Sequence, residues 1–231
     1  MKALHAQVAN IIPFSWVDGP GNRFVIFLQG CNYNCLACHN PQTIPMNSLA
    51  ASNLTLEEIL DQIRDSMPYI SGLTISGGEA TIQYEFIYQL FCAIKGRDEF
   101  KSLSTFIDSN GNASSDVWNL LAPVTDGVML DLKALDEEAH IQLTGHSNRT
   151  VLESIKTLTN LGKIFEVRLL LIPGLNDSKE ELTKTAIWLR KLDPLIRIKV
   201  NAFRAHGVRG CAKQWPEASE FDLARYETIL K

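Results

Sequence analysis

The sequence has 231 residues with a formal net charge of −4, and 45% of its residues are hydrophobic and 21% charged. A chain of this length buries a substantial core, and we expect a single domain spanning residues 1–231. The mild acidity argues against nucleic acid or an anionic membrane as the main partner, and no apolar run reaches the length of a membrane span.

The N-terminal stretch Met1–Phe14 is a poor signal peptide, because the polar residues His5, Gln7 and Asn10 interrupt it. We therefore expect a cytoplasmic protein. Five cysteines in such a chain argue against a disulfide framework, and three of them fall within eight residues. Closely spaced cysteines in a cytoplasmic protein are more often metal ligands.

Runs typical of strands and helices alternate along the chain. The predicted strands are Arg23–Leu28, Leu73–Ser76, Ser104–Asp108, Gly127–Asp131, Phe165–Ile172 and Ile196–Asn201. The predicted helices are Leu54–Ile70, Tyr84–Lys95, Ser115–Leu121, Val151–Leu161, Ser178–Leu192 and Glu220–Leu230. Capping boxes support two helix starts, Thr55 with Glu58 and Ser178 with Glu181.

Six strands separated by helices predict right-handed βαβ units and a parallel sheet. Because a closed barrel of this kind has eight strands, we expect an α/β fold with a partial, open (β/α)6 TIM-like barrel. Polar residues cluster where strands end, which is the ligand-binding rim of parallel α/β folds. The clusters are Gly30-Cys31, Ser76–Glu79, Asp108–Gly111, Asp131–Lys133 and Asn201–His206.

The segment GCNYNCLACHNP places Cys31, Cys35 and Cys38 with the spacing C-x3-C-x2-C. A [4Fe–4S] cube normally has one cysteine per iron, so three thiolates leave one iron with an open coordination position for a substrate's amino and carboxylate groups. The alternative is a structural zinc site with His39 as the fourth ligand. Structural zinc usually joins two separated segments, and adjacent Cys38 and His39 would share one tetrahedral ion only in awkward geometry.

The other two cysteines do not belong to this motif. Cys92 lies on the apolar face of a predicted helix and is expected in the core, and Cys211 is expected to be a free thiol. Neither residue is predicted to bind a metal.

Together with further motifs, the cysteine segment resembles the glycyl-radical enzyme activating enzymes, and within them the pyruvate formate-lyase activase branch. The resemblance runs from about Val17 to Phe203. Its motifs, in order, are VDGPGNRF, C-x3-C-x2-CHN, SGGEA, IDSNG, TDGVMLDLK, LTGHSN and VRLLLIPG. The cysteine motif marks the radical S-adenosylmethionine (SAM) superfamily, and the ordered set marks the activases.

The resemblance implies a radical SAM fold, a site-differentiated [4Fe–4S] cluster on Cys31, Cys35 and Cys38, and SAM as cofactor. One electron on the cluster splits SAM into methionine and a 5′-deoxyadenosyl radical, which removes a hydrogen from a glycine Cα of a larger partner enzyme. The implied partners are that glycyl-radical enzyme and an electron donor of the flavodoxin or ferredoxin type, and the implied state is a monomer. Only one cluster is expected, since residues 40–55 contain no cysteine.

Several site residues follow from the resemblance. The loop Gly77-Gly78-Glu79 matches the segment that contacts the SAM amino group, where glycines let the backbone approach a ligand. Glu79 could instead cap the following helix. Lys133 matches a position near the SAM ribose and carboxylate. Arg168 lies on an otherwise apolar strand and needs a ligand or a buried ion-pair partner.

Four residues match positions that bind a monovalent cation, Na+ or K+, beside the SAM carboxylate in some activases. Asp108 and Asp131 would supply carboxylates, Ser109 a hydroxyl or carbonyl, and Met129 a carbonyl, all of them the hard oxygen ligands that such ions prefer. The alternative is that the two aspartates cap turns and pair with Lys133 or Arg168.

The chain departs from the family pattern at two places. The residue before the third cysteine is usually aromatic and packs on adenine, but here it is Ala37, which leaves Tyr33 or His39 for that role. The family's Tyr-His pair after the sixth strand is replaced by Phe203-Arg204, with His206 two residues on. Either Arg204 or His206 would then contact the ribose.

Two other functions remain open on the sequence. One is a radical SAM enzyme that acts on a small molecule, and the other is a zinc-stabilised binding module. The short chain and the VDGPGNRF segment favour a protein substrate. By resemblance, Asp18 in that segment lies beside the groove where the partner's glycine loop docks, although it could be a turn residue only.

Overall fold

The computed structural model describes residues 4–230 as eight strands and seven α-helices. The strands are β1 (His5–Ser15), β2 (Arg23–Leu28), β3 (Ser52–Thr55), β4 (Gly72–Gly77), β5 (Ser104–Ser109), β6 (Gly127–Asp131), β7 (Ile164–Leu171) and β8 (Ile198–Ala202). The helices are α1 (Leu56–Ser66), α2 (Tyr84–Gly96), α3 (Ser115–Leu121), α4 (Glu137–Thr144), α5 (Arg149–Asn160), α6 (Lys179–Leu192) and α7 (Glu220–Leu230).

The strands form one sheet in the order β3-β1-β2-β4-β5-β6-β7-β8. The pairs β2–β4, β4–β5 and β7–β8 are parallel, whereas β1 pairs antiparallel with both β2 and β3. The six predicted strands are therefore confirmed as β2 and β4–β8. The α/β class is confirmed as well, with an open, mostly parallel sheet consistent with a partial TIM-like barrel.

Two strands and one helix were not predicted. In β1 the polar residues alternate with buried Ala6 and Val8, so the pattern that looked like an interrupted N terminus is a strand with one buried face. Helix α4 has a weak apolar face and ends at Gly145, whose φ is +80°. The first predicted helix was too long: Leu54 belongs to β3, and α1 ends in a 3-10 turn that contains Pro68.

The two predicted capping boxes have different outcomes. At α1 the hydroxyl of Thr55 accepts from the Glu58 amide and the Glu58 carboxylate accepts from the Thr55 amide, so this box is confirmed. At α6 the hydroxyl of Ser178 accepts from the Glu181 amide (3.1 Å). The Glu181 carboxylate, however, accepts from the amides of Leu135 and Asp136, both at 2.8 Å. The predicted N-cap at Ser178 is therefore confirmed, but the predicted bond from the Glu181 carboxylate back to the Ser178 amide was wrong. The carboxylate instead accepts from loop amides that have no helical partner.

The chain forms two compact units whose segments interleave. The first contains the chain up to Asn32 with Gln42–Ser109 and Ala113–Met129, and the second contains Tyr33–Pro41, Asn110–Asn112 and the chain from Leu130 onward. Each unit has its own buried apolar residues, on β2, α1 and α2 in the first and on β7, α5 and α6 in the second. The boundary falls inside β6, and a single domain over residues 1–231 stays a prediction.

In the first unit, Arg23 is fully buried at the start of β2. Its guanidinium donates to Thr74 Oγ1 (3.1 Å), Ser104 Oγ (2.6 Å), Leu73 O (2.5 Å) and Ser104 O (3.1 Å). It also stacks 4.7 Å above the ring of Phe106. Burial lowers the pKa of Arg23 to about 10, so the group remains charged at neutral pH. The side chain thus joins β2 to the starts of β4 and β5.

Replacing Arg23 by Met should lower the free energy of unfolding by about 3 kcal/mol or more, because several buried acceptors would lose their donor at about 1–3 kcal/mol each. The matched control is Arg64→Met, whose guanidinium is half-exposed and pairs with Asp61 and Glu99 on the surface. That change should leave the free energy of unfolding close to the wild-type value, because exposed ion pairs contribute little to stability. Denaturant unfolding of both variants measures the difference, and equal losses would contradict this role for Arg23.

Candidate active site

The first motif cysteine follows directly on the end of β2. The amide of Gly30 donates to Thr43 O (2.9 Å), and the amide of Cys31 donates to Ile44 O (3.0 Å). These two bonds join Gly30 and Cys31 to Thr43 and Ile44, so the residues between the two segments form a loop. We call the paired segments at its base the neck. We call Tyr33–Pro41 the cysteine loop.

Gln29 strengthens this neck. Its side-chain amide donates to the carbonyl oxygens of Gln42 (3.1 Å) and Pro45 (2.8 Å), and its own carbonyl accepts from Gln83 (3.0 Å). No local sequence pattern singles out Gln29, because its partners lie 13, 16 and 54 residues away.

The Gly77-Gly78 loop lies against the same strand end. The Gly78 amide donates to Leu28 O (3.0 Å), and Gly77 has a φ of +131°. A Cβ on Gly78 would lie 2.3 Å from Gly30 O and 2.6 Å from Thr43 O. The backbone that leads to Cys31 lies so close to Gly77 and Gly78 that a side chain at either position would clash with it. Contact with protein therefore explains why both residues are glycine. The predicted approach of this loop to SAM remains a prediction.

Glu79 is almost fully buried, with 1% of its surface exposed. Its amide donates to Gly30 O (2.8 Å), and its Oε1 accepts from the amide (2.9 Å) and the hydroxyl (2.6 Å) of Thr81. The same oxygen accepts from the hydroxyl of Ser109 (2.8 Å). Glu79 thus caps the short helical turn that follows, which is the alternative role considered for it. Its bond to Ser109 also brings two predicted site residues, Glu79 and Ser109, together.

The cysteine loop is seated in the second unit. The Leu36 amide donates to Leu143 O (3.1 Å), and the Cys38 amide closes a turn on Cys35 O (3.3 Å). Leu36 and Ala37 pack against an apolar cluster, so the side of the loop between the two cysteines faces protein. The buried members of that cluster are Leu143, Ile172, Phe203, Val208 and Ala212.

Two of the motif cysteines, Cys35 and Cys38, lie on the cysteine loop, and Cys35 is close to a charged pair. Cys31, Cys35 and Cys38 are all half-buried and form no disulfide. Burial raises the pKa of the Cys35 thiol, and the positive charge of Lys133 acts in the opposite direction. Lys133 donates to the Asp131 carboxylate at 2.6 Å, so this ion pair, one of the alternatives for Asp131, is present.

Tyr33 and His39 occupy different surroundings in the second unit. The Tyr33 ring is 2% exposed and stacks on the His146 imidazole with centroids 4.8 Å apart, so one ring face is already covered. The His140 ring lies edge-on to Tyr33 with centroids 6.1 Å apart, and burial lowers the pKa of His140. His39 is exposed, and its Nε2 lies 3.0 Å from Arg204 O. That contact occupies Nε2, one of the two ring nitrogens through which a histidine can bind zinc.

The four residues of the predicted cation site divide between the two units. In the first unit, Ser76 donates to the Asp108 carboxylate (3.2 Å), Ser109 is bound to Glu79, and Met129 is fully buried. Asp131 lies in the second unit. The cation site stays a prediction.

Of the remaining predicted residues, Arg168 and Arg204 have protein partners. Arg168 Nε donates to Glu166 Oε1 at 2.7 Å, and both side chains are buried, so the buried ion pair considered for Arg168 exists. Arg204 is exposed and donates to Ala218 O. His206 is exposed on the same segment. Contacts of these residues with SAM remain predictions.

The donor set fits an iron–sulfur cluster. Three cysteines within eight residues of the chain, none of them in a disulfide, supply the soft ligands that iron–sulfur clusters require. Within residues 4–230, no three His, Cys, Asp or Glu side chains are gathered as a preformed metal centre. The fit therefore rests on the chemistry and seating of the thiols.

Replacing Gly78 by Ala should destabilise the protein by roughly 1–3 kcal/mol and lower its iron content, because the new Cβ must displace backbone that leads to Cys31. The control is Gly96→Ala at the end of α2, where a Cβ meets no atom within 4 Å. That change should stay within about 0.5 kcal/mol. Thermal unfolding and iron analysis after anaerobic reconstitution measure both effects, and wild-type behaviour of Gly78→Ala would refute the contact.

Comparison with known proteins shows the family of the chain. The family model described as the radical SAM superfamily matches residues 25–186. The chain is 35% identical over 199 residues to the pyruvate formate-lyase-activating enzyme of Streptococcus mutans, covering 84% of this chain and 76% of that protein. It is 34% identical over 232 residues to a Haemophilus influenzae protein provisionally named glycyl-radical enzyme activating enzyme, covering 90% and 86%.

Solved structures agree in fold. SuiB of Streptococcus suis, bound to its precursor peptide, superposes with a TM-score of 0.66 at 20% identity, covering 89% of this chain and 44% of that one. HydG, a maturase of the [FeFe]-hydrogenase, superposes with a TM-score of 0.64 at 16% identity, covering 87% and 46%. At these identities the likeness concerns the fold alone. From the family model and the sequence relatives, the chain belongs to the radical SAM superfamily and, within it, to the glycyl-radical enzyme activating enzymes, which use a [4Fe–4S] cluster and SAM.

Proposed function

We propose that this chain activates a glycyl-radical enzyme by removing a hydrogen atom from one glycine Cα of that partner. The observation that carries the proposal is the similarity to named activating enzymes across 84–90% of this chain and 76–86% of theirs.

Different residues of the chain are assigned to the cluster and to the separate groups of SAM. Cys31, Cys35 and Cys38 would hold the cluster, which when bound would supply the electron for the reductive cleavage of SAM. We assign the SAM amino group to the Gly77-Gly78-Glu79 loop. For the carboxylate and ribose we propose the polar residues at later strand ends, namely Asp108, Asp131, Lys133, Arg168 and one of Arg204 and His206.

Hydrogen abstraction from glycine is favourable, because the resulting radical is delocalised over the two adjacent amides. The protein's contribution is to position the Cα against the reactive carbon and to exclude water. The turn at Asp18 suits a docking role. Its carboxylate accepts from Ser15 Oγ (2.5 Å) and its carbonyl from Thr74 Oγ1 (2.7 Å), while the neighbouring Trp16 and Val17 are 79% and 72% exposed.

Further features of the proposal concern partners and location. We propose an electron donor of the flavodoxin or ferredoxin type, a monomeric state, a cytoplasmic location and no nucleic-acid partner, in keeping with the net charge of −4. Among residues 4–230, no helix has the length and apolar character needed to cross a bilayer.

The test is anaerobic electron paramagnetic resonance of reconstituted protein mixed with reductant, SAM and the candidate partner. We expect about four irons per chain and a glycyl doublet on the partner, matched by 5′-deoxyadenosine. Ala variants of Cys31, Cys35 or Cys38 should abolish both signals, because the cluster loses a ligand. Cys92→Ala and Cys211→Ala are the matched controls and should keep both.

Two results would contradict the proposal. Abundant 5′-deoxyadenosine with a modified metabolite and no protein radical would indicate a small-molecule substrate. A protein that retains only zinc after anaerobic reconstitution would indicate a binding module.

A further inference from the structure

The segment after β8 holds the cysteine loop from a second side. Within the second unit, Arg204 O lies 3.0 Å from His39 Nε2, and a Cβ on Gly207 would lie 2.8 Å from His39 O. Gly207 has a φ of +77°, a conformation that L side chains rarely adopt. We call residues 203–210 the clamp segment. At Gly207 the backbone of the clamp segment contacts the backbone of the cysteine loop at His39, with no side chain between them.

Arg209 makes the clamp segment's side-chain contact with the loop. Its Nη2 donates to Asn34 Oδ1 (2.6 Å) and to Cys35 O (3.3 Å). One guanidinium nitrogen therefore bonds to the residue before the second motif cysteine and to that cysteine itself. The carbonyl of Cys35 also accepts from the Cys38 amide (3.3 Å), so Arg209 acts on the turn that carries both cysteines.

The charge of Arg209 is not neutralised by these bonds. Both acceptors, an amide oxygen and a backbone carbonyl, are neutral. Its Nε is buried and has no hydrogen-bond partner among residues 4–230. A half-buried cation with remaining donor capacity thus lies beside Cys35.

We propose that Arg209 is a positioning residue that fixes the turn of the cysteine loop and raises the reduction potential of the cluster. The proposal rests on the proposed function only in that the three cysteines bind a [4Fe–4S] cluster. Net charge and hydrogen bonding around a cluster set its potential. A positive charge nearby stabilises the form that has gained an electron more than the form that has not.

The step concerned is a one-electron transfer with no bond made or broken. The reductant, dithionite in the experiment below, is oxidised, and the cluster is reduced by one electron. In the cell, the electron donor of the proposed function takes the place of dithionite.

The experiment is a potentiometric titration of reconstituted protein without SAM, followed by electron paramagnetic resonance of the reduced cluster. In Arg209→Gln the ratio of reduced to oxidised cluster at a fixed potential should fall about tenfold, which corresponds to a shift of about 59 mV for one electron. Arg209→Lys keeps the charge and should retain most of the wild-type ratio. Lys213→Gln removes an exposed charge four residues away and should leave the ratio unchanged.

Two titration results would overturn the proposal. The first is an unchanged ratio in Arg209→Gln, and the second is an equal fall in Lys213→Gln, which would indicate a general effect of surface charge. A wild-type protein without a cluster would count against the proposed function instead.

Hydrogen exchange of the cluster-free protein tests the positioning role separately, and it decides the matter if Arg209→Gln binds no cluster. Faster exchange confined to residues 33–41 in both Arg209 variants supports the proposal, because neither Gln nor Lys can reproduce the guanidinium contacts. Exchange in that segment equal to the wild type would overturn it.

Discussion

The close approach of two glycine backbones, Gly78 to Gly30, is the contact on which the first half of the site depends. It lets the loop after β4 lie directly against the end of β2, so that the amides of Gly78 and Glu79 bond to the strand leading to Cys31. Parallel pairing of β2 with β4 brings these two strand ends to one edge. Any side chain at Gly78 would separate them, and the buried Glu79 carboxylate would lose its fixed relation to the motif.

The cysteine loop is held differently, by contacts from sequence-distant parts of the second unit. The backbone of Leu36 bonds to α4, the ring of Tyr33 stacks on His146, and the segment after β8 supplies Arg204 and Arg209. Short soft-ligand motifs tend to be flexible when alone, and these contacts restrict this one on several sides. The same arrangement places Arg209 and the ion pair of Lys133 with Asp131 near Cys35.

The sequence predicted the elements that carry a short-range signal, including strands β2 and β4–β8 and the capping box of Thr55 and Glu58. It missed β1, whose half-buried alternation resembles an irregular terminus. It also misassigned the Glu181 carboxylate, which accepts from backbone amides 45 and 46 residues away. Gln29 and Arg209 could not be found in this way either. Arg209 meets the cysteine loop across 174 and 175 residues, a relation that only the folded chain establishes.

The central claim is that this enzyme takes a hydrogen atom directly from glycine in a protein partner. The most direct measurement is mass spectrometry of the 5′-deoxyadenosine formed with a partner enzyme whose glycine residues carry deuterium at Cα. Direct abstraction predicts 5′-deoxyadenosine that has gained one deuterium, in proportion to the glycyl radical formed. Unlabelled 5′-deoxyadenosine at the same yield of radical would contradict the account, because the hydrogen would then come from another source.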